Sequence, residues 1–305
     1  MNKEFKILAI IIILVAITYW GIEPYAHSKM HPHHEPATFK YEDLKPLAVK
    51  GDAQKGAQAI MNNGCTGCHS IKSQNIPAPM DPVSASASYG VNPPDLSNIG
   101  AVVDPKFLAN FIKNPAHAAL LTHKFNDTKP FPMPNFYGSD QDLADIVAYL
   151  VSIAPKEISP KDAFETACGR CHNLRYDKWT VIGEKPKFKN DVEKADFELK
   201  LAKYETNLKK YLGTTPPDLS MFIRSRGPEY IRDFVENPQK ILHGTAMPRV
   251  GLTEEATEKV ISYLEKVGDR KKEKRDHLGI WVLGYFVIFA FLAYLWKNKI
   301  WSELH

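Results

Sequence analysis

Two five-residue stretches decide how this chain folds: Cys65-Thr66-Gly67-Cys68-His69 and Cys168-Gly169-Arg170-Cys171-His172. Each has the pattern C-x-x-C-H, which is the attachment site of a c-type haem. Two thiols at this spacing form thioether bonds to the two vinyl groups of one haem, and the following His reaches the iron. The predicted attachment residues are Cys65, Cys68, Cys168 and Cys171. The chain has four cysteines and all lie in these motifs, so the sequence predicts two covalently bound haems c and no disulfide.

Two other uses of a C-x-x-C pair fit this sequence less well. A thiol–disulfide redox pair does not need the trailing His, and it would not need it twice. A zinc site would require the two pairs to converge and would leave both His residues partly redundant.

The bulk composition narrows the range of partners. A length of 305 residues is enough for two domains of ordinary size. The 39 basic and 35 acidic residues give a net charge of +4, which is too balanced to suggest a nucleic-acid partner. Covalent haem attachment implies assembly outside the cytoplasm, in a periplasm-like compartment.

The segment after each motif carries the same landmarks in the same order. Pro93-Pro94-Asp95-Leu96-Ser97 recurs as Pro216-Pro217-Asp218-Leu219-Ser220, and Pro132-Met133-Pro134 recurs as Ala246-Met247-Pro248. In each half the apolar spacing predicts one helix between these landmarks and a closing helix after the second, over 139–153 and 253–267. A unit repeated in this way indicates duplication.

An opening helix at residues 51–60 followed by C-x-x-C-H resembles the start of class I cytochromes c. The resemblance implies a mainly α fold with two tandem class I cytochrome c-like domains. We place the first at residues 51–155 and the second at residues 156–268.

The second predicted domain carries a Lys- and Glu-rich insertion at residues 183–212 that the first lacks. Val192, Ala195, Leu199 and Leu208 are spaced for one apolar face, so we predict a surface amphipathic helix. A solvated outer face is the default interpretation, and a docking role is the alternative.

The iron ligands follow from the repeat. His69 and His172 are the predicted proximal ligands, and Met133 and Met247 the predicted sixth ligands, since each Met precedes a Pro ahead of the closing helix. A thioether ligand stabilises ferrous iron, which suits an electron carrier. The alternative sixth ligands are Met80, His117, His123 and His243.

The haem pocket needs partners for the anionic propionates. Arg224 and Arg226, just after the second Pro-Pro-Asp-Leu-Ser, are the candidates, and Pro94 and Pro217 are expected to line the pockets. The first half has no Arg at the matching place, where Tyr89 and Asn98 are the candidates instead.

Both ends of the chain are apolar. Residues 1–26 are a membrane anchor or a signal peptide, with the retained anchor favoured because the cleavage signal is poor. Residues 27–50 form a linker in which His27, His31, His33 and His34 bind a metal or are simply solvated. Residues 277–297 are long enough to span a bilayer. The haem domains are expected on the periplasmic side of the inner membrane, although the basic run at 270–275 opposes that orientation.

The second half also resembles the cytochrome c1 subunit of the cytochrome bc1 complex, over residues 164–305. The resemblance rests on Cys168-Gly169-Arg170-Cys171-His172-Asn173-Leu174-Arg175-Tyr176, on Ile223-Arg224-Ser225-Arg226 after the second Pro-Pro-Asp-Leu-Ser, and on the ending Lys299-Ile300-Trp301-Ser302-Glu303-Leu304. It implies that Arg226 contacts a propionate. Because the usual subunit has one haem, the layout is most similar to dihaem c1 subunits of some bacterial bc1 complexes.

This resemblance implies an electron-transfer subunit with no bond chemistry of its own. Its implied partners are cytochrome b and Rieske iron–sulfur subunits, a periplasmic electron acceptor and a dimeric complex. Electrons would pass from the Rieske cluster to the Cys168/Cys171 haem and then to the Cys65/Cys68 haem. The alternatives are an electron-entry subunit of a haem–copper oxidase or nitric oxide reductase, and a periplasmic dihaem oxidoreductase such as a peroxidase.

Overall fold

The computed structural model describes residues 3–30, 36–126 and 128–302. The described chain is mainly helical, as predicted. Its α-helices are α1 (Lys3–Ile17), α2 (Glu23–Met30), α3 (Ala53–Asn62), α4 (Pro82–Tyr89), α5 (Ile99–Val102), α6 (Pro105–Lys113), α7 (Pro115–Ala118), α8 (Asp140–Ile153), α9 (Pro160–Ala167), α10 (Asp191–Leu212), α11 (Phe222–Glu236), α12 (Pro238–Ile241), α13 (Glu254–Gly268) and α14 (Lys272–Ser302).

Two short strands complete the regular structure of the described residues. β1 (Trp179–Thr180) and β2 (Gly183–Glu184) pair antiparallel, with Thr180 opposite Gly183. Single 3₁₀ turns lie at Cys65–Gly67, Lys72–Gln74 and Arg175–Asp177, and a π-helical turn at Thr18–Ile22 joins α1 to α2.

Side-chain caps begin the helices that the sequence predicted. The Ser139 side chain accepts from the N–H of Asp142, whose carboxylate accepts in turn from the N–H of Ser139, which is a capping box. Ser159 caps α9 through the N–H of Asp162. Asp52 and Thr253 cap α3 and α13 in the same way. The boundaries of α3, α8 and α13 therefore lie within two residues of the predicted ones.

The opening and closing helices of each half pack against each other, α3 on α8 and α9 on α13. Gly56 lies where α3 meets α8. A Cβ atom added at Gly56 would lie 2.0 Å from the carbonyl oxygen of Asp145 and 2.6 Å from the Cβ of Tyr149. The close approach of the two helices therefore requires glycine at this position.

The two halves share one hydrophobic core. It contains Ile60 and Leu150 of the first half, and Phe164 and Leu264 of the second, all of them fully buried. Backbone hydrogen bonds cross the boundary as well, because the N–H of Asp104 donates to the carbonyl of Gly251 at 2.9 Å. The two halves therefore form a single packed unit rather than two separately packed bodies joined by a linker.

The insertion forms a helix, and the predicted apolar face is confirmed at Leu208 but wrong at Val192, Ala195 and Leu199. Val192 and Leu199 are 78% and 55% exposed, whereas Tyr204, Leu208 and Leu212 are buried. These three side chains cluster with Val181 and Ala246 of the second half, and α10 also packs against α4 of the first half. An aliphatic pattern does not separate the exposed Val192 and Leu199 from the buried Leu208, and it leaves out the buried Tyr204. The helix also begins later than predicted, after the β1–β2 hairpin.

Two helices are long and apolar enough to cross a membrane: residues Lys3–Ser28 and Lys272–Ser302. Their apolar side chains are exposed outside the packed unit, which indicates membrane anchoring. Within the predicted histidine cluster, His31, His33 and His34 lie outside the described residues.

Two cations of the basic run at 270–275, which overlaps the start of α14, form ion pairs within the fold. Arg275 forms a bidentate pair with Asp269 at 2.9 and 2.8 Å, and Lys272 pairs with Glu265 at 2.7 Å. Arg270 donates to the carbonyl of Tyr176. This segment therefore presents less free positive charge at the membrane surface than its sequence suggests.

Substitution of Gly56 by Ala should destabilise the helix crossing. Overpacking of a tight contact costs about 1–3 kcal/mol, which exceeds the gain of about 1 kcal/mol in helix propensity. We expect a lower thermal midpoint by circular dichroism. Gln58→Ala on the exposed side of the same helix is the control and should not lower the midpoint. A G56A chain as stable as the wild type would contradict the packing argument.

Candidate haem centres

The first C-x-x-C-H segment is a tight turn at the end of α3. Gly64 adopts a left-handed conformation, with φ of 71°, and directs the chain into the 3₁₀ turn at Cys65–Gly67. The N–H of His69 donates to the carbonyl of Cys65 at 3.0 Å. Both thiols and the imidazole are thereby placed on one turn of backbone.

The second segment closes in the same way. The N–H of His172 donates to the carbonyl of Cys168 at 3.0 Å. Gly169 lies under the ring of Trp179, whose Nε1 donates to the Gly169 carbonyl at 3.0 Å. A Cβ at Gly169 would lie 2.7 Å from that nitrogen, so this position of the motif requires glycine.

Each proximal-ligand candidate is oriented by a proline carbonyl. Nδ1 of His69 lies 2.9 Å from the carbonyl oxygen of Pro94, and Nδ1 of His172 lies 2.8 Å from that of Pro217. A hydrogen bond from Nδ1 to a carbonyl fixes the tautomer and leaves Nε2 as the lone-pair donor for a metal. The two prolines predicted to line the pockets therefore act through their backbone oxygens.

The repeated Pro-Pro-Asp-Leu-Ser segments are held by the same hydrogen bonds. Asp95 accepts from the N–H of Ser97, and Asp218 accepts from the N–H of Ser220, both at 2.9 Å. The matching backbone bonds are Leu96 to Ser70 at 2.8 Å and Leu219 to Asn173 at 2.9 Å. Each segment is thus fixed to the residues that follow its own C-x-x-C-H.

Burial sets the ionisation of the candidate ligands. It lowers the pKa of both His69 and His172, which favours the neutral imidazole needed for metal ligation. The charge of Arg170 lowers the pKa of His69 further. Burial raises the pKa of the Cys168 thiol to about 12. A thiol–disulfide redox centre requires the opposite shift.

The candidate sixth ligands differ in exposure. Met133 and Met247 are half-buried and pack against the same core as Cys65 and Cys168. The alternatives His117, His123 and His243 are exposed. Met80 is half-buried in the loop after the first motif.

A buried arginine that the sequence analysis missed anchors the segment of Met247. The backbone N–H of Arg249 donates to the carbonyl of Ala119, and its Nε donates to that of Ala118, both at 2.9 Å. Its two terminal nitrogens donate to Asp43 at 2.8 Å each. The Met247 segment is thus bound to the linker and to the first half.

Among the candidate propionate partners, Arg224 and Arg226 contact residues outside the second motif, whereas Tyr89 contacts the first motif. Nε of Arg224 is 4.0 Å from Asp269, and the guanidinium of Arg226 stacks over Tyr230 at 5.2 Å. Tyr89, a candidate in the first half, lies 3.7 Å from Sγ of Cys68. Their contacts with a propionate remain predictions.

Arg170, inside the second motif, was also missed. Its Nη1 donates to the carbonyl of Asn92 at 3.0 Å, in the loop that leads to Pro94. Its Nε is buried without a hydrogen-bond partner among the described residues. Long-range contacts of this kind leave no periodic signal in a sequence, and only the position of Arg170 between two cysteines could have drawn attention to it.

The two loops fit covalently attached haem on three observations. All four cysteines are free thiols. Both imidazoles present an unused Nε2. The buried Nε of Arg170 is an orphaned donor that a further polar group would satisfy. Among the described residues, no group of three or more His, Cys, Asp or Glu side chains is arranged to hold a bare metal ion.

Comparison with known proteins assigns part of the chain. The family model for cytochrome c matches residues 53–154. A cytochrome c domain is present. Such a domain implies covalently bound haem c and an electron-transfer role. The predicted attachment motif at Cys65, Cys68 and His69 lies within the matched residues.

The remaining comparisons are weaker. A chain of the solved structure titled "Hyperthermophilic respiratory Complex III" is 27% identical, with a TM-score of 0.37, and the match covers 48% of this chain and 75% of that chain. A TM-score this low carries no argument about fold or partners. No curated protein matches the chain.

Asp43→Asn should loosen the Met247 segment. The hydrogen bond from Arg249 holds the pKa of Asp43 below its usual range. Loss of one partner of a buried pair costs about 3–5 kcal/mol. Asp43 is half exposed, so we expect D43N to lower the free energy of unfolding, measured in urea, by about 1–2 kcal/mol.

The effect of Asp43→Asn should depend on pH in one direction. Because the folded-state pKa is lowered, the stabilisation is present above the ordinary carboxyl pKa and is lost as the pH falls through the folded-state value. The difference in the free energy of unfolding between wild type and D43N should therefore disappear at acid pH. Glu42→Gln, an exposed neighbour, is the control. A difference that does not change with pH would contradict the role of the charge.

Proposed function

We propose that this chain is a membrane-anchored dihaem c-type cytochrome that passes electrons from a Rieske iron–sulfur protein of a bc1 complex to a periplasmic acceptor. The observation that carries the proposal is the second C-x-x-C-H loop. It repeats the His–Pro carbonyl bond, the Asp–Ser bond and the backbone closure of the first loop. The first loop belongs to the cytochrome c domain, so the second is best explained as a second cytochrome c domain with its own haem.

Each group of residues has a defined task in this proposal. Cys65, Cys68, Cys168 and Cys171 attach the two haems covalently. His69 and His172 provide the proximal ligands, and Met133 and Met247 provide the sixth. Bound haem supplies one-electron exchange at its iron, and a Met sixth ligand favours the ferrous state.

The backbone around these ligands keeps them fixed. The carbonyls of Pro94 and Pro217 hold each imidazole in one tautomer. Arg249 holds the segment of Met247 through Ala118 and Asp43. Fixed ligands change little in geometry between oxidation states, which suits rapid electron exchange.

We propose that the packed unit lies on the periplasmic side of the inner membrane and that both terminal helices are retained as anchors. The support is the compartment needed for haem attachment and the two candidate spans. Nζ of Lys297, near the end of α14, lies 3.4 Å from Glu4 at the start of α1. This pair is consistent with both termini on the cytoplasmic side.

The bc1 assignment is supported by the sequence resemblance of residues 164–305 to cytochrome c1. The implied partners are cytochrome b and the Rieske subunit, in a dimeric complex. A single C-terminal span after a charged segment, ending in Lys-Ile-Trp-Ser-Glu-Leu, is the most specific part of the resemblance.

Removal of either cysteine pair should remove one haem. We expect two haems per chain in the wild type and one in both C65A/C68A and C168A/C171A, as measured by haem content against polypeptide. The haem that remains in C65A/C68A tests the second site, and the haem that remains in C168A/C171A tests the first. A wild type with one haem, or a C168A/C171A chain with unchanged haem content, would refute the dihaem proposal.

The partners are tested by purifying the tagged full chain from its native membranes. We expect b-type haem bands in the dithionite-reduced optical spectrum and a Rieske signal by electron paramagnetic resonance in the same sample. A c-type spectrum alone, or one accompanied by a haem–copper centre, would reject the bc1 assignment and favour a stand-alone carrier or an oxidase subunit.

A further inference from the structure

A ring of three hydrogen bonds joins the second C-x-x-C-H loop to the segment that precedes Pro94 in the first half. Nη1 of Arg170 donates to the carbonyl of Asn92 at 3.0 Å, and the N–H of Asn92 donates to the hydroxyl of Tyr204 at 3.1 Å. The same hydroxyl donates to the carbonyl of Arg170 at 2.9 Å. Tyr204 is fully buried, so no part of its hydroxyl bonding is shared with bulk solvent.

The ring connects working parts of both sites. Arg170 lies between Cys168 and Cys171 and is therefore part of the second attachment loop. Asn92 lies two residues before Pro94, whose carbonyl orients His69 of the first site. Hydrogen bonds therefore connect the second attachment loop to the segment whose Pro94 carbonyl orients His69.

Arg170 is the charged member of this junction. No carboxylate lies within ion-pair distance of its guanidinium in the described part of the chain, although many surface Lys and Arg residues are paired. Its Nε is buried without a hydrogen-bond partner. A partly buried cation without a counter-charge is costly, and a structure that retains one gains something from its position.

The charge of Arg170, at this position, should affect the reduction potential of a haem iron bound nearby. Ferric haem carries one more positive charge than ferrous haem, so a nearby fixed cation disfavours the ferric state. In a low-dielectric junction this effect is screened much less than at a surface. A cation at Arg170 should therefore raise the reduction potential at both sites.

We propose that Arg170 is a positioning residue shared by the two haem sites. Its guanidinium holds the second attachment loop against the Asn92–Pro94 segment, and its charge raises the reduction potential of both sites. This inference rests on the proposed function, since it requires a haem at each loop.

The test compares three variants of the full chain in detergent. R170Q removes the charge and the contact with Asn92, R170K keeps the charge but not the fork of donors, and Y204F keeps the charge and removes the ring. The control is Lys203→Gln, which removes an exposed charge beside Tyr204 on the same helix. Two readouts are used: midpoint potentials by spectroelectrochemical titration, and circular dichroism in the Soret band, where neighbouring haems give a signal that depends on their mutual orientation.

We expect R170Q to shift both midpoints downward by more than K203Q does, and R170K to retain most of the wild-type potentials. The Soret signal should be reduced in all three variants and unchanged in K203Q. If R170Q does not assemble, R170K and Y204F still decide the positioning role. Wild-type Soret signals in both would overturn it, and so would R170Q midpoints equal to those of K203Q.

The haem content of the wild type separates the two possible failures. A single haem in the wild type refutes the dihaem proposal, whatever Arg170 does. Two haems in the wild type, with potentials and Soret signal insensitive to Arg170, refute only the shared role of this residue.

Discussion

The hydrogen bond from a histidine Nδ1 to a proline carbonyl is the constraint on which the rest of both sites depends. It sets the tautomer and the direction of His69 and His172. A proline carbonyl suits this role because its preceding ring fixes φ and removes a competing backbone donor. The Asp–Ser bond that follows holds the carbonyl in place, so a five-residue segment works as one support for one imidazole.

Three sets of contacts hold the two Pro-Pro-Asp-Leu-Ser segments and their halves together as one packed unit. The common core buries the inner faces of both halves. Arg249 ties the second Met segment to the linker and to the first half. Arg170 ties the second attachment loop to the first support. A change in the position of one half would therefore disturb the predicted ligands in the other half, which would not happen in two independently tethered domains.

The parts that could be predicted from sequence are those with local causes. The caps at Ser139 and Ser159 act over three residues, and the C-x-x-C-H turn acts over five. The pairing of Arg170 with Asn92, and of Arg249 with Asp43, joins residues 78 and 206 positions apart. Such pairs depend on how the two halves pack, and no spacing rule encodes that. The buried face of α10 likewise depends on tertiary contacts, with Val181 and Ala246 in its own half and with α4 in the other.

Equivalent segments of the repeat build the contact between the halves. In each half the variable stretch lies between C-x-x-C-H and Pro-Pro-Asp-Leu-Ser; it forms α4 in the first and α10 in the second, and these two helices pack together. Gly90 ends α4 where a Cβ would lie 2.4 Å from the Tyr211 side chain, and Asn207 donates to Ser86 across the contact. Lys124 and Lys129 of the first half donate to the last carbonyls of α10, where the helix dipole favours positive charge. The insertion helix thus covers a surface of the first half, and Arg170 in the second C-x-x-C-H loop lies within one hydrogen bond of the segment that leads to Pro94.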